Sequence, residues 1–378
     1  MNGYNPSLRC RLMKIKDGSI ILYYSFDIAS EIQLDKLEKV FGKKPAEAQI
    51  VYTKLTPKYI KYAQPPYIIR MGEKQISIGD QKFNFKVSAK LYDFGVINVK
   101  LVAPFSGHIN ELVKISDKLV EISDAESEAK KVADKIKKEI ADVLVKPIEN
   151  HYMEDYIIFH VKEFDKKTTA KELVEKHRST LASILRSEAE ELDESEINGA
   201  LNDSVSYFSD DIVIVDWNAA FVYDSREAFD TFDVLEYANI ELLELRTYDS
   251  ILDKEIDSAY DRIAAVRSRP IFFWPLEPFG PTLKRLEETR FDVTQIVEKV
   301  ENALKLVGDP YLARVYTAAS TSFHLGEWKS SIKGKLDIVE DFYETLIGRI
   351  QSGRSTVLEI LIVALFLFEI ALYFFPAK

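Results

Sequence analysis

The 378-residue sequence predicts an α+β protein with a mixed α/β sandwich region at the N-terminus, an antiparallel coiled-coil helical hairpin, and a single C-terminal transmembrane helix. Three observations lead to this fold class. Short β-rich runs alternate with turn residues in the first part of the chain, heptad repeats of apolar residues follow residue 226, and an apolar run lies close to the last residue. Together they divide the chain into five consecutive segments.

Residues 1–118 are predicted to form a basic, β-rich head. They contain 19 Lys or Arg against 11 Asp or Glu, whereas the whole chain has a formal net charge of −11. Aromatic and β-branched runs such as Ser19–Phe26 and Phe83–Leu91 predict strands, and Gln33–Phe41 predicts a short helix that ends at Gly42. A basic head on an acidic body suggests that the head meets an anionic partner.

The stretch Tyr52–Tyr62 is the candidate contact for that anionic partner, because lysines and tyrosines are interleaved in it. Lysines can bind phosphates while tyrosine rings stack on bases, as in nucleic-acid sites. The same pattern also fits a strand whose tyrosines pack on a sheet, or a surface that meets anionic lipid headgroups. The candidate residues are Tyr52, Lys54, Lys58, Tyr59, Lys61 and Tyr62.

Residues 119–225 are predicted to form an α/β sandwich module. Apolar residues recur every three or four positions across Asp117–Leu144, which predicts a long amphipathic helix. Tyr156–Lys162 predicts a strand, and Ile212–Val215 with Ala219–Tyr223 predicts a hairpin. This alternation of helices and strands is typical of a two-layer arrangement.

Residues 226–307 are predicted to form an antiparallel coiled-coil hairpin. Two stretches repeat apolar residues at spacings of three and four, the pattern of supercoiled helices. Between them, Arg267–Pro281 holds four prolines and cannot be helical throughout. The seam of the first helix is predicted at Leu242, Leu245, Leu252, Ile256 and Ile263.

Residues 308–356 are predicted to form an amphipathic stalk helix. Gly308–Asp309–Pro310 combines a helix stop with an N-cap residue and a proline at the first helical position. Apolar residues then recur at helical spacing from Trp328 to Ile350. No proline separates this stripe from the apolar run that follows it.

Residues 357–375 are predicted to form the transmembrane helix. Nineteen residues, apolar or aromatic apart from Glu359 and Glu369, span roughly 28 Å, about the thickness of the hydrocarbon core. Arg349 and Arg354 precede the run, so the positive-inside rule predicts a tail-anchored, single-pass membrane protein with most of the chain in the cytoplasm. Glu369 is a functional candidate if it is protonated or paired inside the membrane, and otherwise a tolerated carboxyl group.

The sequence carries no recognised motif for catalysis, cofactors or metals. It has no P-loop, Rossmann glycine pattern or nucleophile elbow, and its five histidines are scattered without metal-ligand spacing. The single cysteine, Cys10, excludes an intramolecular disulfide and fits a reducing compartment. We therefore expect no cofactor, no metal and no enzymatic activity.

Four motifs in the second half of the chain form a combination that is more specific than any one of them. They are EYANIELLELRTYDSILDKEIDSAYD (Glu236–Asp261), IVDWNAAFVYD (Ile214–Asp224), GDPYLARVY (Gly308–Tyr316) and LEILIVALFLFEI (Leu358–Ile370). In combination they resemble the required-for-meiotic-nuclear-division family, a domain of formally unknown function. The resemblance implies an intracellular membrane protein. Mitochondrial relatives are associated with translation at the inner membrane as tethers for ribosomes, so it also implies a ribosome or RNA partner.

These expectations lead to one functional prediction and two alternatives. The chain is predicted to be a membrane-anchored, homo-oligomerising scaffold or tether that presents its basic head to an anionic partner such as a ribosome or RNA. The first alternative is an oligomer that contacts anionic lipid and organises the membrane. The second is an enzyme of unrecognised type.

Overall fold

The computed structural model describes residues 13–41, 60–62, 64–120, 123–226, 228–267, 280–306 and 309–374. The chain forms two compact units, each built from segments that are far apart in the sequence. The sheet unit comprises Met1–Glu244 and Glu298–Gly326, and the helical unit comprises Leu245–Val297 and Glu327–Lys378.

Ten strands are described. They are β1 (Lys14–Ile32), β2 (Ile60–Tyr62), β3 (Tyr67–Ile78), β4 (Gln81–Leu91), β5 (Val96–His108), β6 (Leu144–Phe164), β7 (Ser204–Val205), β8 (Asp211–Val215), β9 (Ala219–Asp224) and β10 (Leu304–Leu306). The α-helices among the described residues are α1 (Leu34–Val40), α2 (Ile109–Val120), α3 (Ser123–Glu139), α4 (Ala170–Arg186), α5 (Glu194–Ala200), α6 (Phe229–Arg267), α7 (Gly280–Ala303), α8 (Pro310–Ser322) and α9 (Leu325–Phe374).

Eight strands form one large mixed sheet in the order β3-β4-β5-β1-β6-β9-β8-β7. Neighbouring strands are antiparallel except for the parallel pair β6 and β9. β2 and β10 form a separate antiparallel pair. The α+β class is therefore confirmed, and strands of both predicted N-terminal modules lie in the same sheet.

Helices cover both faces of this sheet. On one face Ile20 and Leu22 of β1 join a core with Leu112 of α2, Ala129 of α3 and Leu173 of α4. In the middle of β1, Tyr23 and Ser25 alternate with these residues and point to the opposite face, because side chains alternate along a strand, and Ser25 contacts Asn239 of α6 there. A strand buried on both faces is apolar almost throughout, which explains the long hydrophobic run in this part of the sequence.

The helical unit holds the C-terminal part of α6, most of α7 and nearly all of α9. Ion pairs connect the three helices: Arg285 of α7 binds Glu255 of α6 at 2.5 Å, and Lys335 of α9 binds Asp253 of α6 at 2.6 Å. α9 runs parallel to α6, because Asp249 contacts Ser331 and Tyr260 contacts Phe342 at the same sequence offset. α6 therefore packs against two helices.

The predicted transmembrane helix over 357–375 is wrong. In the part of the chain that the structure describes, no helix is long and apolar enough to cross a bilayer. Residues 357–374 form the end of α9. Arg354 just before them, and Glu359 and Glu369 within them, are exposed. Each charge placed in hydrocarbon costs on the order of 3 kcal/mol. The tail anchor, the single-pass topology and the cytoplasmic, membrane-bound localisation rested on this helix and are withdrawn.

Candidate functional site

A stripe of polar residues lies on the sheet face that α6 covers. Side chains at alternate positions of a strand share a face, and residues paired across strands lie side by side. Tyr23 and Ser25 pair with Lys100 and Asn98 of β5 on one side and with β6 on the other. The polar stripe consists of Tyr23, Ser25, Asp27, Asn98, Lys100, Glu154 and Tyr156.

The first half of α6 places further polar groups on this stripe. Glu236 and Asn239 are three positions apart, so they lie on the same side of the helix, and both are buried. The Asn98 Nδ2 group donates to Ser25 Oγ at 2.7 Å, and Ser25 Oγ donates to Asn239 Oδ1 at 3.5 Å. A chain of hydrogen bonds therefore connects β5, β1 and α6 through the protein interior.

Lys90 of β4 is tightly paired at the start of α6. Its Nζ atom lies 2.7 Å from Asp233 Oδ1 and 2.7 Å from Glu236 Oε2. The Tyr92 hydroxyl donates to the other oxygen of Glu236 at 2.9 Å. Glu236 has no exposed surface, so a charged carboxylate there requires a counter-ion and hydrogen-bond donors. The Lys90 ammonium and the Tyr92 hydroxyl fill these roles.

Lys100 lies beside Lys90 and has different neighbours. Its Nζ atom is 5.2 Å from the centre of the Tyr23 ring and 5.7 Å from that of the Phe232 ring. Among the described residues no hydrogen-bond acceptor or carboxylate pairs with it. Burial lowers the pKa of Lys100, the charge of Lys90 lowers it further, and the carboxylates of Glu236 and Asp233 offset only part of that change.

Asp27 and Glu244 form a buried pair of carboxyl groups at another point on the same face. They are 0% and 2% exposed, and none of their four carboxyl oxygens has a hydrogen-bond partner among the described residues. Burial raises the pKa of Asp27 to about 8, and the nearby Ala29 backbone N–H and the charge of Lys137 only partly offset this. The pKa of Glu244 is also raised, by burial and then by Asp27, so the pair favours the protonated state.

A shallow cavity of about 490 Å³ lies elsewhere, at the start of α4. Thr169 caps α4 with a capping box in which its side chain accepts from Glu172 N, and both Thr169 and Phe208 line the cavity. The cavity contains no member of the polar stripe. Since perturbed titratable groups mark functional sites better than volume alone, we regard the polar stripe as the stronger candidate for chemistry.

An apolar segment of α9, Leu358–Ile370, is the other unusual surface. Ten large apolar side chains in it are 44% to 63% exposed in the described structure. They are Leu358, Ile360, Leu361, Ile362, Val363, Leu365, Phe366, Leu367, Phe368 and Ile370. Because they include consecutive residues, they lie on every side of the helix.

The residues singled out from the sequence lie in several places. Leu242, Leu245, Leu252 and Ile256 are buried, while the side chain of Ile263 is not described. Tyr52, Lys54, Lys58 and Tyr59 lie outside the described residues, and Lys61 and Tyr62 are described only as backbone of β2. Glu359, Glu369 and Arg354 are exposed, and the side chain of Arg349 is not described.

Sequence reasoning missed the polar stripe. Its signal is present as Ser25 and Asp27 in one apolar strand, and as Asn98 and Lys100 in another, each pair two positions apart. Such spacing places both members on one face. The register that brings the two strands together is not visible in the sequence.

Comparisons with known proteins give one family. Residues 17–230 match the family described as the N-terminal domain of the uncharacterized protein MJ0711. The uncharacterized protein MJ0711 of Methanocaldococcus jannaschii is 26% identical over 288 residues, which is 76% of this chain and 81% of that protein. No solved structure is significantly similar. The resemblance to the required-for-meiotic-nuclear-division family is therefore wrong, because the matches lead to a different family.

Proposed function

We propose that this chain, which belongs to the family of the MJ0711 N-terminal domain, is a self-associating scaffold that joins copies of itself through the apolar segment of α9. The observation that carries the proposal is the exposure of ten large apolar side chains between Leu358 and Ile370. The family match ends at residue 230, so it neither supports nor opposes a role for α9.

The size of the apolar segment favours association. Large apolar side chains of roughly 200 Å² that are about half exposed present on the order of 1,000 Å² of apolar surface per chain. A typical monomer exposes no apolar patch above about 600 Å², and a standard interface buries about 800 Å² on each partner. The segment therefore offers enough surface for a stable contact with a second copy.

The distribution of these side chains favours an assembly larger than a dimer. One helix that packs against a single partner buries a stripe about 100° wide. The apolar segment has apolar residues all round, as in Ile360–Val363 and Leu365–Phe368. Covering them requires at least two neighbouring helices, so we expect three or more copies of α9 in one bundle.

The scaffold would present the basic part of the sheet unit to an anionic partner. Residues 1–118 have more Lys and Arg than Asp and Glu, and Arg70, Lys82 and Lys86 of the β3–β4 pair are exposed. An array of copies multiplies such contacts, because the second contact becomes intramolecular.

Sedimentation of the full chain in detergent-free buffer tests self-association. The wild-type protein is expected to sediment as a trimer or larger. The variant Leu361→Glu/Phe368→Glu is expected to sediment as a monomer, because two buried charges per chain would oppose the bundle. The control Thr345→Glu/Ser352→Glu adds the same charge at exposed positions of α9 and should keep the wild-type size.

Two outcomes would overturn the proposal. One is a wild-type chain that is monomeric at all concentrations tested. The other is flotation of the wild-type chain with phosphatidylcholine vesicles, lost in the Leu361→Glu/Phe368→Glu variant, because the segment would then contact lipid and not another copy of the chain.

A further inference from the structure

Independently of self-association, we propose that Lys100 is the nucleophile of a covalent binding site for a small aldehyde or ketone. The site is the lysine niche formed by Lys90, Lys100, the rings of Tyr23 and Phe232, and the carboxyl groups of Asp233 and Glu236. In it the Lys100 amine condenses with the carbonyl compound to form an imine.

Two neighbouring lysines of the niche are unequally paired. Lys90 and Lys100 lie on the same face of adjacent strands, since Lys90 pairs with Asn98 in the register of β4 and β5. Both carboxyl groups of the niche bind Lys90, at 2.7 Å each. Lys100 is left without a counter-ion among the described residues, so its protonated form lacks the partner that a buried ammonium requires.

Two aromatic rings line the space around the Lys100 amine. Tyr23 and Phe232 are buried, and Lys100 itself is half-buried. The ring faces attract an ammonium by about 1 kcal/mol, but burial and the adjacent charge of Lys90 act in the opposite direction and the pKa of Lys100 is lowered. Each unit by which an amine pKa falls raises its neutral, nucleophilic fraction about tenfold near neutral pH.

Imine formation needs no reactant other than the Lys100 amine and the carbonyl compound. The lone pair of the neutral amine attacks the carbonyl carbon, a C–N bond forms, and the C=O π electrons move to oxygen. Two protons from the amine leave with that oxygen as water when the C=N bond forms. Lysine amines activated by desolvation or by a neighbouring cation form such Schiff bases in enzymes, and Lys90 is the neighbouring cation here.

The carboxyl groups of the niche give Lys90 its position. Asp233 and Glu236 are one turn apart on α6, so both reach the same ammonium. They keep Lys90 charged and beside Lys100, which maintains the electrostatic repulsion that disfavours a second ammonium. Lys90, Asp233 and Glu236 are therefore positioning residues, and Lys100 is the residue that forms the bond to the carbonyl compound.

Competitive labelling of the full-length protein tests the reactivity of Lys100. Acetic anhydride would be applied at a series of pH values, followed by peptide mass spectrometry, with the exposed Lys82 as internal reference. The labelling of Lys100 is expected to rise at a lower pH than that of Lys82 and, near pH 7, to be about tenfold faster. Labelling of Lys100 that is equal to or slower than that of Lys82 would overturn the proposal.

Reductive trapping tests the covalent site itself. Propanal with sodium cyanoborohydride is expected to alkylate Lys100 at least about tenfold faster than Lys82, and acetone would report whether ketones enter. Lys100→Arg should abolish the trapped product, while Lys90→Arg, which keeps the neighbouring charge, should retain it. Should Lys100→Arg fail to fold, the ratio of the alkylation rates of Lys100 and Lys82 in the wild-type protein still tests the proposal. Equal trapping at Lys82 and Lys100 would show an adventitious surface amine and would end the proposal.

Discussion

Asp27 is a carboxyl group inside the sheet unit, and its protonation is linked to stability. Its pKa is about 8 in the folded protein because it is buried, against about 4 in an unfolded chain. Between these values the folded state binds more protons than the unfolded state, so the free energy of unfolding falls as pH rises from about 4 to about 8. Glu244 shares the direction of this shift.

The variant Asp27→Asn removes this titration and keeps the shape of the side chain. We expect it to be close to the wild type in stability at pH 5 and more stable at pH 8.5, by on the order of a few kcal/mol, since each pKa unit corresponds to about 1.4 kcal/mol. Urea unfolding at both pH values measures the difference. Asp17→Asn, at an exposed position of the same strand, is the control. A pH-independent difference for Asp27→Asn would contradict the linkage.

Gly95 is a backbone position that excludes any other residue. It has φ of +100° in the turn between β4 and β5, and a Cβ atom would lie 1.6 Å from the Ala29 carbonyl oxygen. Gly95→Ala must therefore displace the β1 backbone, and we expect a loss of more than about 3 kcal/mol in unfolding free energy. Gly72 also has positive φ, but a Cβ atom there would meet no atom within 4 Å. We therefore expect Gly72→Ala to lower the unfolding free energy by less, because it adds backbone strain without a steric clash. Equal losses would contradict this explanation.

At the scale of single elements, the cap of α4 is the most direct test of local structure. Thr169 and Glu172 form a capping box in which each side chain satisfies a backbone N–H of the other. Thr169→Ala is expected to lower the unfolding free energy by about 1 kcal/mol. Thermal unfolding of this variant and of Lys167→Ala, at an exposed position two residues earlier, measures the effect. Lys167→Ala leaves the capping box intact, so a loss from Thr169→Ala no larger than that from Lys167→Ala would count against the capping role.

Most strands and helices could be predicted from the sequence, because the spacing of apolar residues and the turn residues that produce them lie close together in the chain. Ser19–Phe26 lies within β1, Phe83–Leu91 within β4, and Gln33–Phe41 contains α1. The predicted helix Asp117–Leu144 corresponds to the end of α2, α3 and a short turn. Periodicity identifies an apolar face, but it does not show where one helix ends and the next begins.

The polar stripe could not be predicted because it depends on register. Asp27 and Asn98 belong to different strands and share one face only after β1 pairs with β5. The residues of α6 that meet this face, such as Asn239, come from a third, distant part of the sequence. In α6 the heptad pattern predicts a coiled coil over the whole length of the helix. Glu236 and Asn239 lie within that pattern and are buried against the sheet. The first part of α6 therefore packs its polar residues on the sheet, which the apolar periodicity does not show.

At the scale of the whole molecule, each compact unit is assembled from two segments that are not consecutive in the sequence. The sheet unit is completed by Glu298–Gly326, which lies in the sequence between the two segments of the helical unit, Leu245–Val297 and Glu327–Lys378. From this segment, Val315 and Phe323 are fully buried, and the Phe323 ring lies 5.0 Å from that of Tyr156 in the polar stripe. The Ser322 hydroxyl also donates to the Val215 carbonyl at 3.2 Å.

A fragment that ends with the family match is therefore expected not to fold by itself. Residues 17–230 contain all eight strands of the large sheet apart from the first three residues of β1. They lack α8 and almost all of α6, so one sheet face would expose both apolar residues and the polar stripe to water. We expect this fragment to bind the dye ANS, to lack a cooperative thermal transition, and to aggregate.

The matched control is a shortened chain that retains the whole sheet unit and omits the helical unit. It joins residues 13–244 to 298–326 through a flexible Gly/Ser linker of about 20 residues. Circular dichroism and calorimetry are expected to show cooperative unfolding for this chain, because every element that covers the sheet is present. Cooperative unfolding of residues 17–230 would mean that α6 and α8 are dispensable. It would then follow that the buried contacts of Val315, Phe323 and Asn239 contribute little to the stability of the sheet.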